Sequence, residues 1–223
     1  MKKIFFIILS FSLFIYALST TEERFLKASE SGDYTTVTNL IGKVDVNIAT
    51  EDGVTALMLA SHNGYISIVR ELLKNNAKIN VADEVGYTPL LFASSAGHSN
   101  IVKLLIRNNA DVNATNIYGE NALHLSSYKL NKEIVKILVA TNININATNN
   151  DGYNALYLSF MSAGKSEDII PIAEILTTNG ADINLKGKNG KYLLTYVKES
   201  YKQGEVLIEF LEKNGAIEED TKK

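Results

Sequence analysis

The chain has 223 residues, 46% of them hydrophobic and 21% charged, with a formal net charge of −3; this balance supplies a continuous apolar core and excludes disorder. The slight acidic excess, without clustered Lys and Arg, excludes a nucleic-acid partner, whose phosphates need neutralising cations. No cysteine occurs, which excludes disulfides, thiolate catalysis and cysteine-ligated zinc.

Residues 1–19 differ in composition from all that follows. Lys2 and Lys3 give a positive start, Ile4 to Leu18 are apolar apart from Ser10 and Ser12, and Ala17-Leu18-Ser19 places small residues three and one before a cut. This is the layout of a secretory signal peptide, predicted to be removed after Ser19. An uncleaved anchor is the competing reading, but fifteen residues span about 22 Å as a helix, short of the roughly 30 Å hydrocarbon core. No later segment is apolar enough to span a bilayer, so the mature chain is expected to have no stable membrane insertion.

Beyond the leader the text repeats. Gly53, Gly86, Gly119 and Gly152 recur every 33 residues, and so do Asn47, Asn80, Asn113 and Asn146. After each glycine comes a cap-and-aliphatic run: Thr55-Ala56-Leu57, Thr88-Pro89-Leu90, Asn121-Ala122-Leu123 and Asn154-Ala155-Leu156. Thr or Asn at this place can accept a backbone N–H and start a helix, and Pro89 suits the first helical position. A second apolar run recurs as Ile68-Val69, Ile101-Val102 and Ile134-Val135, divided from the first by a turn at Gly64 or Gly97. Each repeat therefore reads as two short helices preceded by a tight turn in which Asp52-Gly53 or Asp151-Gly152 takes positive φ.

The 33-residue period closely resembles the ankyrin repeat. The likeness is carried by Gly86-Tyr87-Thr88-Pro89-Leu90, Ala96-Gly97-His98, Ile101 to Leu105 and Asn109-Ala110-Asp111-Val112-Asn113. It implies an all-α repeat solenoid of helix-turn-helix pairs with β-hairpin loops, in six units including degenerate caps. The units are read as 20–51 (N-terminal cap), 52–84, 85–117, 118–150, 151–188 and 189–218 (C-terminal cap, second helix Glu205 to Lys213), with 219–223 as a tail. The fifth is five residues longer than the period, an excess expected as a longer inter-helix loop at 164–168. Leu130 stands where its neighbours have Gly64 and Gly97, a departure that leaves the turn there open.

Chemistry is scarce. The three histidines, His62, His98 and His124, lack the spacing of a metal helix, and no nucleophile elbow, phosphate loop or dinucleotide fingerprint is present. No catalytic, cofactor-binding or metal residue is assigned, and the chain is read as not an enzyme. His98 and His124 occupy places where the family's His supports loops, whereas His62 also fits a contact role. Asn113-Ala114-Thr115 and Asn146-Ala147-Thr148 match the glycosylation acceptor pattern, but both asparagines sit at the repeat's own Asn position, which favours a structural role.

What the resemblance implies is a monomeric scaffold that holds a protein partner through its hairpin tips and concave helix face. By register the tip residues are Glu51, Asp52 and Val54; Glu84, Val85 and Tyr87; Ile117, Tyr118 and Glu120; and Asn150, Asp151 and Tyr153. The adjoining helix residues are His62, Asn63, Ser95, Tyr128 and Lys129. Tyrosine rings flanked by acids suit a basic or polar partner. With the leader, this predicts an exported protein, periplasmic or secreted, and the abundance of Asn, Lys and Ile matches AT-rich bacterial genomes. The rival reading is an enzyme accessory protein or weak hydrolase with a site near 164–168.

Overall fold

The computed structural model describes residues 19–162, 164–201 and 204–218. The leader, apart from Ser19, and the tail at 219–223 lie outside the described residues. Two compact units divide between Asp111 and Val112, and among the described residues all regular structure is helical.

The N-terminal unit holds three helix pairs: α1 (Thr20–Ser31) and α2 (Tyr34–Leu40), α3 (Ala56–Asn63) and α4 (Ile66–Lys74), α5 (Pro89–Ala96) and α6 (Ser99–Arg107). The first helices α1, α3 and α5 pack in series, and so do α2, α4 and α6. Starts are set as the sequence predicts: the Thr55 hydroxyl accepts from Met58 N, Thr88 accepts from Leu91 N, and Pro89 follows Thr88. Stops come from Gly32, Gly64 and Gly97 at φ 82°, 85° and 85°, where a side chain would be strained. Close approach between first helices rests on Ala28, Ala60 and Ala93 with Ser29, Ser61 and Ser94, all buried. The second helices add Ile68, Val69 and Leu72, then Ile101, Val102 and Leu105, also buried.

The C-terminal unit repeats the plan with α7 (Ala122–Tyr128) and α8 (Lys132–Val139), α9 (Ala155–Met161) and α10 (Ser166–Thr178), α11 (Leu193–Ser200) and α12 (Glu205–Lys213). Asn121 and Asn154 cap α7 and α9 through their side-chain oxygens. Tyr192 precedes α11 without a side-chain cap bond, as expected of a degenerate last repeat.

One expectation is corrected here. The five extra residues do not form a loop: α10 has 13 residues where α4, α6 and α8 have 9, 9 and 8, so the insertion adds a helical turn at the N-terminal end. That turn starts with Ser166, Glu167 and Asp168, whose acids suit a helix N-terminus, and it buries Ile169. The hairpins are short: among the described residues their β-pairing consists of isolated bridges such as Ala49 with Thr55 and Lys186 with Tyr192. The turn at Leu130 keeps the shape of its glycine counterparts, because Leu130 itself adopts φ 57°.

Candidate functional site

Each tip is built by one residue that folds the backbone over itself. In the N-terminal unit, Asp83 N donates to Tyr87 O and Gly86 N donates to Asp83 O, at 3.1 and 2.9 Å. Asp83 Oδ1 then accepts from Val85 N at 3.0 Å and Tyr87 N at 2.7 Å. Burial raises the Asp83 carboxyl above its ordinary range; the two N–H donors oppose this, while the charges of Asp52 and Glu84 add to it. In the C-terminal unit Asn116 and Asn149 do the same work, their Oδ1 atoms accepting from Tyr118 and Glu120 N, and from Asp151 and Tyr153 N. Asp83, Asn116 and Asn149 are all buried. They recur every 33 residues, a signal that the sequence reading passed over.

Tips within a unit are tied in series. Glu84 N donates to Asp52 O at 2.9 Å, and Asn150 N donates to Tyr118 O at 2.9 Å. Asn150 Nδ2 adds a bond to Ile117 O at 2.9 Å. The backbone of Ile117 and Tyr118 is thus held inward while both side chains stand out, 57% and 41% exposed.

The predicted contact residues divide by accessibility. Glu51, Asn63, Glu84, Ile117, Tyr118, Lys129, Asn150 and Asp151 are exposed, and Asp52, His62, Val85, Ser95, Glu120, Tyr128 and Tyr153 are half-buried. Val54 and Tyr87 are corrections: each is only 4% exposed, because the residue after the tip glycine turns inward to pack. The Tyr87 ring lies against Phe92, centroids 5.1 Å apart. Tyr153 is partly consumed in the same way, its ring 4.6 Å from that of Tyr157 and seated over Gly187, where a Cβ would meet it. Burial pushes the Tyr157 hydroxyl up to about 12.

Phe92 is half-buried, with His62 set edge-on against its ring at 5.6 Å. Burial first, and His98 second, lower the His62 imidazole below its ordinary range. His98 and His124 serve the scaffold. His98 lies on Gly64 and its Nε2 sits 2.9 Å from His62 O. His124, 1% exposed, donates from Nε2 to Ala147 O at 2.9 Å and accepts Asn121 N at Nδ1; burial holds it neutral, its pKa lowered to about 4. Among the described residues no group of His, Asp or Glu is arranged to hold a metal ion, and no helix is long and apolar enough to cross a membrane.

The family model described as ankyrin repeats (3 copies) matches residues 25–116 and again residues 108–187. No curated protein matches the chain.

Proposed function

The chain belongs to the ankyrin-repeat family, and from that premise we propose that it is an exported scaffold which binds a partner protein through its hairpin tips and the adjoining side of its first helices. Repeats of this family are generally protein–protein interaction modules. The observation that carries the reading is the pair Ile117 and Tyr118, two large apolar side chains left adjacent and exposed on a tip whose backbone is rigidly held. Adjacent exposed apolar side chains on an ordered loop are the mark of a contact surface. Export rests on the composition of the leader.

The test is affinity capture with the purified mature chain, from periplasm and culture medium, followed by binding measurements on Ile117→Asp and Tyr118→Ala. Loss of the captured partner with retained helix content supports the tip as the site. A partner that binds both variants unchanged places the contact elsewhere, and recovery of the chain only in the cytoplasm removes the export reading. The hydrolase alternative required an open loop at 164–168, and residues 166–168 are the first turn of α10.

A further inference from the structure

The charges of the N-terminal unit are segregated. Between Val44 and Val69, and again between Ile79 and Val102, the sequence has no lysine or arginine, yet these two stretches hold Asp45, Glu51, Asp52, Asp83 and Glu84. The stretches form the tips and first helices α3 and α5; Arg70, Lys74, Lys103 and Arg107 fall on α4 and α6. The two basic residues on the preceding first helix act on acids of their own repeat, Lys27 on Glu30 and Arg24 on Asp33. In the C-terminal unit, by contrast, tip acids have partners: Asp151 pairs with Lys188 at 3.8 Å, and Glu120 accepts from Asn116 Nδ2 at 2.9 Å.

Backbone and ring contacts join the tip acids to Tyr87, Phe92 and His62. Glu84 N is bonded to Asp52 O, Asp83 Oδ1 holds Tyr87 N, the tilted Tyr87 ring lies 5.1 Å from Phe92, and His62 meets Phe92 edge-on at 5.6 Å. The register position of Phe92 is filled by buried Leu26, Leu59, Leu125 and Leu158 in four other repeats and by half-buried Tyr196 in the last. Tyr196 spends its ring against Tyr157, whereas the half-buried Phe92 belongs to the stretch whose tip acids Glu51, Asp52 and Glu84 form no ion pair with a lysine or arginine among the described residues.

We propose that this surface, Phe92 and His62 rimmed by Glu51, Asp52 and Glu84, seats a flexible arginine-bearing segment of the partner protein. The inference rests on the protein-binding reading and names the chemistry of what is bound. A guanidinium is the side-chain group that both stacks on an aromatic face and forks onto a carboxylate, and a weakly hydrated plane loses less on leaving water than an ammonium. The exposed acids raise the encounter rate, and the ring supplies the anchor that charge alone lacks.

The experiment uses a random peptide library displayed on phage, panned against the mature chain. Enriched sequences are resynthesised and their affinities measured. The expected result is enrichment of arginine-containing peptides whose affinity falls about tenfold in the Glu51→Lys, Glu84→Lys double variant and about fivefold in Phe92→Leu. Leu stands at this position in four other repeats, so Phe92→Leu keeps the packing and removes the ring. Glu174→Lys with Glu209→Lys, which adds the same charge on α10 and α12, is expected to leave affinity unchanged. Equal losses in that control reduce the effect to net charge and overturn the proposal. Enriched peptides without basic residues, or peptides indifferent to Glu51, Glu84 and Phe92, also overturn it while leaving protein binding intact. Enrichment of nothing overturns both.

Discussion

Leu130 fills the space that a side chain on Gly164 would need: a Cβ there would stand 2.1 Å from Leu130 Cδ1. The N-terminal unit does the reverse, keeping glycine in the turn and laying the next repeat's ring over it, Tyr65 on Gly32 and His98 on Gly64. Large and small have exchanged places. The exchange is sterically sound even though leucine at φ 57° costs about 1 kcal/mol or more. Gly164→Ala should therefore destabilise the chain by about 1–3 kcal/mol through overpacking. In a Leu130→Gly background the same change should cost almost nothing. Denaturant unfolding of the four proteins gives the coupling, and strict additivity would show that the two residues do not share this space.

His124 makes stability depend on pH. Its folded pKa is lowered to about 4, below the ordinary value near 6.5 of an unfolded chain. Above that value both states are neutral and stability is at its full level. As pH falls below it the unfolded chain takes up a proton that the folded chain refuses, and the loss grows until pH reaches the folded pKa. The full difference amounts to about 3 kcal/mol. His62, lowered in the same direction, adds to the trend. Replacing His124 by Leu, the residue at the corresponding Leu91 position, removes the titrating group. Urea midpoints between neutral and acid pH should then converge for the variant, and an unchanged slope would move the acid sensitivity to other groups.

Much of the fold was legible because its signals recur in register. Thr55, Thr88, Asn121 and Asn154 cap helices since an acceptor is needed at the same point of every repeat, and four occurrences make the need visible. The same comparison fails where a position is unique or where chemistry is shared by unlike letters. Asp83, Asn116 and Asn149 look like ordinary polar loop residues until the hydrogen bonds show one oxygen collecting two N–H groups. Tyr87 looked like a tip because sequence gives the order of residues along a turn and not which way each side chain leaves it. The extra turn of α10 was hidden by Ser and charged residues, which favour a loop and a helix N-terminus alike.

Asp83 should be improvable. Burial and two neighbouring acids raise its folded pKa, so its contribution is largest in acid and is lost as pH rises through that value. Asn116 and Asn149 show that an amide oxygen accepts the same two bonds. Asp83→Asn is expected to leave the melting temperature at neutral pH equal or higher, whereas Asp83→Ala orphans buried N–H groups and should cost about 1–3 kcal/mol. A clear loss of stability in Asp83→Asn would mean that the charge itself is needed.

The asparagine ladder links each repeat to the next. Asn80 Oδ1 accepts from Asp111 N at 2.9 Å and Asn80 Nδ2 donates to Asn109 O at 3.4 Å; Asn146 Oδ1 accepts from Asp182 N at 2.7 Å and Asn146 Nδ2 donates to Gly180 O at 2.9 Å. Asn146→Ala should cost about 1–2 kcal/mol, two net hydrogen bonds discounted for exposure. Asn146→Asp keeps the acceptor and should lose about half as much. Chemical denaturation ranks the two, and equal losses would show that the donor side contributes nothing.

The start of the mature chain decides whether α1 keeps its cap. Ser19 Oγ accepts from Glu22 N at 3.3 Å, and Glu22 Oε2 accepts from Ser19 N at 2.9 Å, a reciprocal pair that holds the Glu22 carboxyl below its usual range. A cut after Ser19, which the small residues Ala17 and Ser19 favour, removes both bonds and sets a new ammonium on the positive end of the helix dipole. The loss is about 1 kcal/mol, the usual worth of such a cap. A chain that begins at Ser19 keeps both bonds and places its ammonium beside the Glu22 carboxylate. Two recombinant chains beginning at Ser19 and Thr20 are the measurement: the first is expected to melt higher and to show slower amide exchange in Phe25 and Leu26. Identical stability would mean that α1 starts without help from Ser19. Intact mass of the exported protein then shows which of the two the cell makes, and recovery of the full-length chain in the membrane fraction would mean that the leader is retained as an anchor.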